Sequence, residues 1–467
     1  MSVENTHWGA VAIGTVMQRS KSIFFIGIGG ISMSALAELT AHEGYRVGGS
    51  DRSETAITES LRKKGVEVFI GHDAEHITSY DTVVYTVAIG EDNPEYLAAR
   101  AAGKPLFSRA DYLGYLMSRF SCRVGVAGMH GKSSCTAMCA SIFLGGGDPT
   151  VLCGAELPAL GNSPCRIGQA REHFLFEACE YMDSFLDFNP TLAVILNIGL
   201  DHVDYFHSME QIRTSFLRYA ERTGEGGRVL FNADDDESIR ALTPFRGEKI
   251  TFGLERKADF TARNIVKEKG ITAFDFCRGD KKLCRISLRV PGRHNLYNAL
   301  AAAGAATLCG ISPEVIASGL SSFTGARRRM EYKGLLTCGA VVYDDYGHHP
   351  DEIKATLAGA REMGFDRVLC AYQPHTFSRT AGLLEEFVTA FEDADHVYFA
   401  DVYAAREQNI YGVTSGTLAD RIGAKATYCG SFSAVANALQ RDARVGDLVI
   451  VMGAGDVFKV FDQLDWK

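Results

Sequence analysis

The sequence predicts an α/β protein of three domains, in which two Rossmann-like domains flank a central phosphate-loop domain with a mostly parallel sheet. Three observations carry that expectation. Short apolar runs pass directly into glycine-rich turns, as Lys21–Ile26 does into Gly27, Arg123–Ala127 into Gly128 and Leu448–Met452 into Gly453. Gly128-Met129-His130-Gly131-Lys132-Ser133 is written as a phosphate loop between a strand and a helix. The chain of 467 residues has room for about three domains of ordinary size. Boundaries are expected at 1–119, 120–325 and 326–467, with Thr324-Gly325-Ala326 at the second junction.

Lys and Arg total 48 against 57 Asp and Glu, and a net charge of -9 gives no ground for nucleic-acid or membrane partners. Twelve cysteines are scattered without a C-x-x-C pair or zinc-type spacing, and read as reduced core residues. Cys135 and Cys139, one helical turn apart, fit buried small side chains better than metal ligands. The apolar run Trp8–Met17 lacks the basic leader and cleavage site of a signal peptide, and no run approaches the roughly 20 residues of a membrane span. A cytoplasmic protein, monomer or homodimer, is expected.

In the first domain the strand Lys21–Ile26 opens into Gly27-Ile28-Gly29-Gly30 and a helix over Ser32–His42. A second strand, Tyr45–Gly48, ends in Gly49-Ser50-Asp51, which puts an acidic residue near where a ribose-binding carboxylate is expected, about 20 residues on. A nucleotide diphosphate at Gly27–Gly30 and tight strand–helix packing both explain this pattern. A third strand spans Asp81–Val87, and Pro94 starts a helix after Asn93.

The central domain carries the phosphate loop. Its glycines let backbone N–H groups close on phosphate oxygens, Lys132 neutralises the outer phosphates, and the Ser133 hydroxyl is placed for Mg2+. Val126 stands where the longer form of the loop has glycine, so a plain glycine turn with a solvated lysine is the alternative. Strands Phe174–Phe176 and Leu192–Asn197 end in Glu177-Ala178-Cys179-Glu180 and Asp201-His202-Val203-Asp204. Parallel strands bring such ends side by side, so Glu177, His202 and Lys132 converge on one magnesium and phosphate site. His202 taken alone reads as a hydrogen-bonded core histidine, and Asp234-Asp235-Asp236-Glu237 as a solvated turn and helix start. An alanine-rich helix runs to Leu308; Asn295 and Asn298 share one face of it, which suits either a purine edge or capping by His294-Asn295.

In the third domain Arg327-Arg328-Arg329 follows the hinge, as a solvated run or as a phosphate contact from a neighbouring domain. Strands Val341–Tyr343, Arg367–Tyr372 and Leu448–Met452 lead into Asp344–Pro350, Gln373–Arg379 and Gly453–Asp456. Polar clusters at parallel-strand ends mark a ligand edge.

In this order, Gly27–Gly30 with Met33-Ser34, Gly128–Ser133, Asp201-His202, His294-Asn295 with Asn298, Asp344–Pro350 and Gln373-Pro374-His375 resemble the Mur ligase family of peptidoglycan synthesis. The resemblance runs from about Ile23 to Phe458. It implies a UDP-binding first domain, a central ATPase domain and a Rossmann-like third domain. Within it, Gly128, His130, Gly131, Lys132, Ser133 and Ser134 hold ATP, Ser133, Glu177 and His202 hold Mg2+, and His294, Asn295, Asn298 and Asp345 contact the nucleotide. Arg328 is implied as a phosphate contact. Gly27, Gly29, Gly30, Ser50 and Asp51 fall at the UDP-sugar site, and Tyr346, His348, His375 and Arg379 at the muramyl and amino-acid site.

The implied activity joins L-alanine to the lactyl carboxylate of UDP-N-acetylmuramate through an acyl phosphate, with Lys132, Arg328, His348 and His375 catalytic. Met129 stands where threonine is common and Met330 where an aromatic is common; the segment Glu177–Tyr181 departs from the more acidic usual form. No lysine lies between Lys132 and Lys249 to carry the carbamate that many relatives use, which fits the alanine-adding branch. A muramyl-tripeptide recycling ligase is the nearest alternative. A nicotinamide-dependent dehydrogenase leaves the phosphate loop without a task, and a non-catalytic nucleotide-binding protein leaves Lys132, Glu177 and His202 unexplained.

Overall fold

The computed structural model describes residues 3–199, 205–268, 270–405 and 407–467. They form three sheets and two compact units. One unit is Met1–Thr261 with Arg278–Asp280 and Leu300–Ile316; the other is Ala262–Cys277 with Lys281–Ala299 and Ala317–Lys467.

The first unit opens with β1 (Ser22–Ile26), β2 (Arg46–Asp51), β3 (Glu67–Ile70), β4 (Thr82–Tyr85) and β5 (Leu106–Ser108), parallel and in the order β3-β2-β1-β4-β5. Every residue of β1 is buried, as an unbroken apolar run between two helical layers requires. Strand β2 runs three residues past its expected end. Gly48 and Gly49 belong to the strand because a Cβ there would lie 1.9 Å from the Tyr80 hydroxyl and 2.4 Å from the Phe25 carbonyl, so these glycines serve packing. β4 stops at Tyr85, short of Val87. Asn93 caps the helix Pro94–Ala101 by accepting from the N–H groups of Glu95 and Tyr96, both at 3.0 Å, with Pro94 in the first turn as expected.

The apolar run near the amino end forms the helix Ala10–Met17, which buries Ile13 and Met17. Ahead of it, Trp8 and Gly9 donate backbone N–H groups to Asp111, and His7 meets Asp187 at 2.6 Å. Burial pushes the Asp187 carboxyl up to about 6 against the pull of that His7 hydrogen bond.

Strands β6 (Cys122–Ala127), β7 (Thr150–Leu157), β8 (Ser163–Arg166), β9 (His173–Glu177), β10 (Leu192–Ile195), β11 (Arg228–Asn232) and β12 (Glu248–Gly253) follow in the order β8-β7-β9-β6-β10-β11-β12. β8 is antiparallel to β7, and the other pairings are parallel. One core of Phe25, Tyr112, Phe174, Phe188 and Phe216 with their neighbours joins this sheet to the first. The acidic run is a turn and helix start, solvated at Asp236, whose side chain is 62% exposed, while Asp234 and Asp235 are tied to backbone. Asp235 caps Asp236–Leu242 through Ser238 N at 2.9 Å, and Asp234 accepts backbone N–H groups from Leu254, Glu255 and Arg256. β13 (Phe260–Glu268) begins in this unit, pairing Phe260 and Thr261 with β12.

The second unit holds the rest of β13, most of β14 (Ile271–Arg278), and β15 (Lys281–Leu288). Its main sheet comprises β16 (Glu331–Leu335), β17 (Val341–Asp345), β18 (Arg367–Tyr372), β19 (His396–Ala400), β20 (Ala426–Gly430) and β21 (Asp447–Met452), in the order β16-β17-β21-β18-β19-β20. Only β16 runs antiparallel. Asp345 and Tyr372 are both level with Met452, so three polar loops leave the sheet at one edge.

Candidate active site

The centre of the first unit is the carboxyl end of β6. Val126 is level with Glu177 of β9 and Ala127 with Ile195 of β10, so three strand ends meet there. Gly128 leaves β6 at φ 142°, where a Cβ would lie 3.1–3.2 Å from Leu196 and the Asn197 backbone; Gly131, at φ 86°, turns into the helix Lys132–Gly146. Asn197 clamps the loop. Its Oδ1 accepts from His130 N and its Nδ2 donates to His130 O, each at 3.0 Å, and Met129 N donates to its carbonyl at 3.3 Å.

Lys132 Nζ donates to Gly128 O at 2.5 Å and Met129 O at 3.2 Å, and pairs with both oxygens of Glu180 at 3.1–3.2 Å. The Glu180 side chain is 1% exposed. Burial works against the ammonium, yet Glu180, Cys179 and Glu177 outweigh it and raise the Lys132 pKa, so the amine is a fixed cation. Ser133 Oγ donates to Glu177 Oε2 at 3.1 Å, while Glu177 Oε1 accepts from Gly154 N at 2.5 Å and Cys153 Sγ at 3.2 Å. A hydroxyl beside a pinned carboxylate is a hard-oxygen donor pair that fits Mg2+. Ser134 follows in the same first turn, half-buried. His202 lies outside the described residues.

At the glycine turn, Gly27 N and Ile28 N donate to Ser50 O at 2.8 and 2.9 Å, and Gly29 N donates to Asp51 Oδ2 at 2.9 Å. Gly27 sits at φ 83°, and a Cβ there would lie 2.6 Å from Thr86 Cγ2 beyond β4. Gly30 caps the helix Ile31–His42. The topology changes direction between β1 and β4, and ligands of open parallel sheets bind outside that crevice. Ser50 faces inward. Its hydroxyl, in a residue 0% exposed, donates to Glu95 Oε2 at 2.6 Å, and Glu95 also meets His72 and His76 at 2.8 Å.

In the second unit, Arg328 sits at φ 56°, donates Nη2 to Gly453 O at 2.6 Å, and approaches Asp344 at 3.5 Å between the rings of Tyr346 and Phe458, 5.0 and 5.2 Å away. Burial pushes Asp344 up to about 6 despite Arg328. Asp345 is buried, accepts from Met330 N at 2.9 Å and Gly347 N at 2.8 Å, and is likewise pushed up by burial. The His348 and His375 rings lie 5.7 Å apart.

His348 Nδ1 bonds Tyr346 O at 3.2 Å and so carries the proton, which leaves Nε2 with the lone pair. His375 Nδ1 instead faces the Arg379 guanidinium at 3.4 Å. Tyr403 stacks on His375 at 5.3 Å, and Glu407 holds the next turn by accepting from Ser378 N at 2.8 Å and Ser378 Oγ at 2.5 Å. Elsewhere in this unit the helix Arg293–Leu308 begins one residue before His294, so Asn295 lies within its first turn; Asn295 Nδ2 donates to Pro291 O at 2.7 Å and Asn298 Nδ2 to Asn295 Oδ1 at 3.4 Å.

Burial lowers the His348 pKa to about 4 and also lowers that of His375. Between pH 4 and 6.5 the unfolded chain therefore holds a proton at residue 348 that the folded chain does not, so stability rises with pH across that window. Acidification from pH 7 to 5 costs about 2 kcal/mol at this one residue. In urea unfolding at the two pH values, His348→Gln loses less stability on acidification than the parent by about that amount; an identical loss would refute the assignment.

Sequence reasoning missed Asn197, Glu180, Tyr403 and Glu407 as organisers of these loops. Asn197 and Glu180 had a local signal, since each follows a strand end within three residues. Tyr403 and Glu407 reach the Gln373–Arg379 loop from beyond the next strand, and nothing local marks them.

A phosphate loop with a half-buried lysine, in a unit that also holds a glycine turn at a Rossmann-type switch point, is the framework of a nucleotide-triphosphate-using enzyme. Three family models cover the chain in order: the Mur ligase family catalytic domain at residues 22–121, the Mur ligase middle domain at 126–306, and the Mur ligase glutamate ligase domain at 328–455. The chain belongs to the Mur ligase family, with its three-domain α/β fold. It is 45% identical over 446 residues to the UDP-N-acetylmuramate–L-alanine ligase of Acetivibrio thermocellus, covering 94% of each chain. Its identity to the ligase of the same name from Clostridium novyi is 42%, over 94% of this chain and 96% of that one.

Among solved structures it is similar to the UDP-N-acetylmuramate-alanine ligase of Thermotoga maritima, with a TM-score of 0.78 and 27% identity over 95% of this chain and 97% of that one. A murein peptide ligase from Psychrobacter arcticus shares the fold at a TM-score of 0.71 and 22% identity, over 95% and 98%. No helix among the described residues is long and apolar enough to cross a membrane.

Proposed function

We propose that the protein joins L-alanine to the lactyl carboxylate of UDP-N-acetylmuramate at the expense of ATP, as a step in making peptidoglycan precursors. The observation that carries this reading is the Lys132 site, set in a chain 45% identical to an alanine-adding ligase over nearly its full length. A carboxylate becomes an acyl donor only when its oxygen can leave, so two anions must meet before an amine attacks. The phosphate-loop N–H groups and the fixed Lys132 ammonium offset that repulsion and stabilise the transferring phosphoryl group. Ser133 and Glu177, with His202, are the residues we assign to Mg2+, whose charge when bound draws electron density from the phosphate oxygens. Arg328 is assigned a second phosphate contact, and Asn295, Asn298, His294 and Asp345 the nucleoside side.

Gly27–Gly30, Ser50 and Asp51 are assigned to the UDP-sugar. Asp51 and Ser50 contribute by shaping the turn, since both already hold its backbone or lie buried behind it. Tyr346, His348, His375 and Arg379 are assigned to the muramyl and alanine side. The attacking amine must shed a proton, and His348 or His375 is assigned to accept it: His348 presents the Nε2 lone pair but on a ring that burial makes weakly basic, and His375 Nδ1 faces Arg379. By this reading residues 1–119 hold the UDP-sugar, 120–325 the ATP, and 326–467 complete the ligase, which works in the cytoplasm.

The deciding experiment measures phosphate release from ATP with UDP-N-acetylmuramate and each candidate amino acid in turn. Release with alanine supports the reading. Silence with alanine but release with a muramyl-type tripeptide would transfer the assignment to peptide recycling.

A further inference from the structure

Cys122 opens β6, the strand that delivers the phosphate loop, and Cys309 follows the end of the helix Arg293–Leu308. The two residues are 187 positions apart in sequence, within the first compact unit, and their sulfurs approach to 3.1 Å, about 1 Å longer than a disulfide bond. Both residues are half-buried, whereas Cys135, Cys139 and Cys370 are sealed in the core. Two arginines lie near the pair. Arg228 donates to Leu308 O at 3.0 Å, next to Cys309, and Arg123 adjoins Cys122.

We propose that Cys122 and Cys309 are an oxidant-modifiable site, closing to a reversible intramolecular disulfide when the protein meets a peroxide. The Cys122 thiolate attacks one peroxide oxygen; the O–O bond breaks, leaving a sulfenic acid and hydroxide, which is released as water on protonation. The Cys309 sulfur then attacks the sulfenic sulfur. The S–S bond forms, the S–O bond breaks, and the departing oxygen takes up a proton as a second water, so two thiols are oxidised and one peroxide is reduced. Arg228 favours a thiolate at either sulfur and Arg123 adds to this at Cys122, against burial; the 3.1 Å approach carries the step, which runs equally with the two cysteines exchanged. Cys122 is the first of the six residues of β6 and Gly128 follows the last, so the bond forms at the far end of the strand from the phosphate loop.

The full-length reduced protein, treated natively with hydrogen peroxide, desalted and then denatured, should show ten titratable thiols where twelve were present before. Its non-reducing digest should contain the peptides of Cys122 and Cys309 joined, and dithiothreitol should restore all twelve thiols. Cys122→Ser should abolish the joined peptide and leave Cys309 as a thiol. Twelve surviving thiols, a sulfinic acid at Cys122 without the joined peptide, or Cys309 joined to another cysteine would each overturn the proposal. The readout is independent of catalysis, so it stands or falls apart from the ligase reading.

Discussion

Lys132→Ala abolishes ATP-dependent phosphate release, a fall of about 10³-fold or more, and leaves UDP-sugar binding within about twofold of the parent. The ammonium is the fixed positive charge that the phosphate loop presents at the end of β6, held by two loop carbonyls and Glu180. The glycine turn is built from β1, β2 and the residue beyond β4, none of which touches Lys132. Release is followed by a coupled phosphate assay and UDP-sugar binding by calorimetry. Loss of both together would mean that the substitution unfolds the protein, as removing this cation from a Glu180 carboxylate 1% exposed can do. Lys132→Ala combined with Glu180→Gln separates the two effects: stability returns and turnover does not.

Glu177→Gln is expected to lower turnover by roughly 10²-fold and to raise the Mg2+ concentration needed for half-maximal rate. The shape of the side chain is kept. The amide oxygen still accepts from Gly154 N, and its NH2 group meets a Ser133 hydroxyl that can reverse from donor to acceptor, so the fold is retained. What disappears is the negative charge beside the Ser133 hydroxyl. A magnesium titration of the rate distinguishes this from a structural effect. An unchanged half-maximal Mg2+ concentration would remove Glu177 from the metal site.

The sequence by itself located the strands that lead into the polar loops, from Ser22–Ile26 to Asp447–Met452, and where the chemistry sits along the chain, but not strands such as Glu67–Ile70, Thr150–Leu157 or Ala426–Gly430. Apolar runs such as Ser22–Ile26 and Leu192–Ile195 are buried whole and carry no alternation, and the phosphate-loop glycines are fixed by local backbone demands at Gly128 and Gly131. Local pattern suffices there because strand burial and positive φ are properties of a few consecutive residues. It does not suffice for Gly48 and Gly49. Local pattern ends the strand at Gly48 and leaves Gly49 beyond it, and only the Tyr80 hydroxyl and the Phe25 carbonyl pressing on the strand show why no side chain fits at either.

Tertiary structure decided the partners. Glu180 meets Lys132 from 48 positions away, Asn197 grips the phosphate loop from 67, and Glu407 holds Ser378 from 29. Each contact depends on strand order and register, so the residues that set the charge and posture of the site are chosen by the sheet rather than by any motif. The same holds for the two histidines of the third sheet. Their presence is legible in the sequence, but burial decides that both rings are held neutral, and the Tyr346 carbonyl that His348 presents Nε2 with its lone pair.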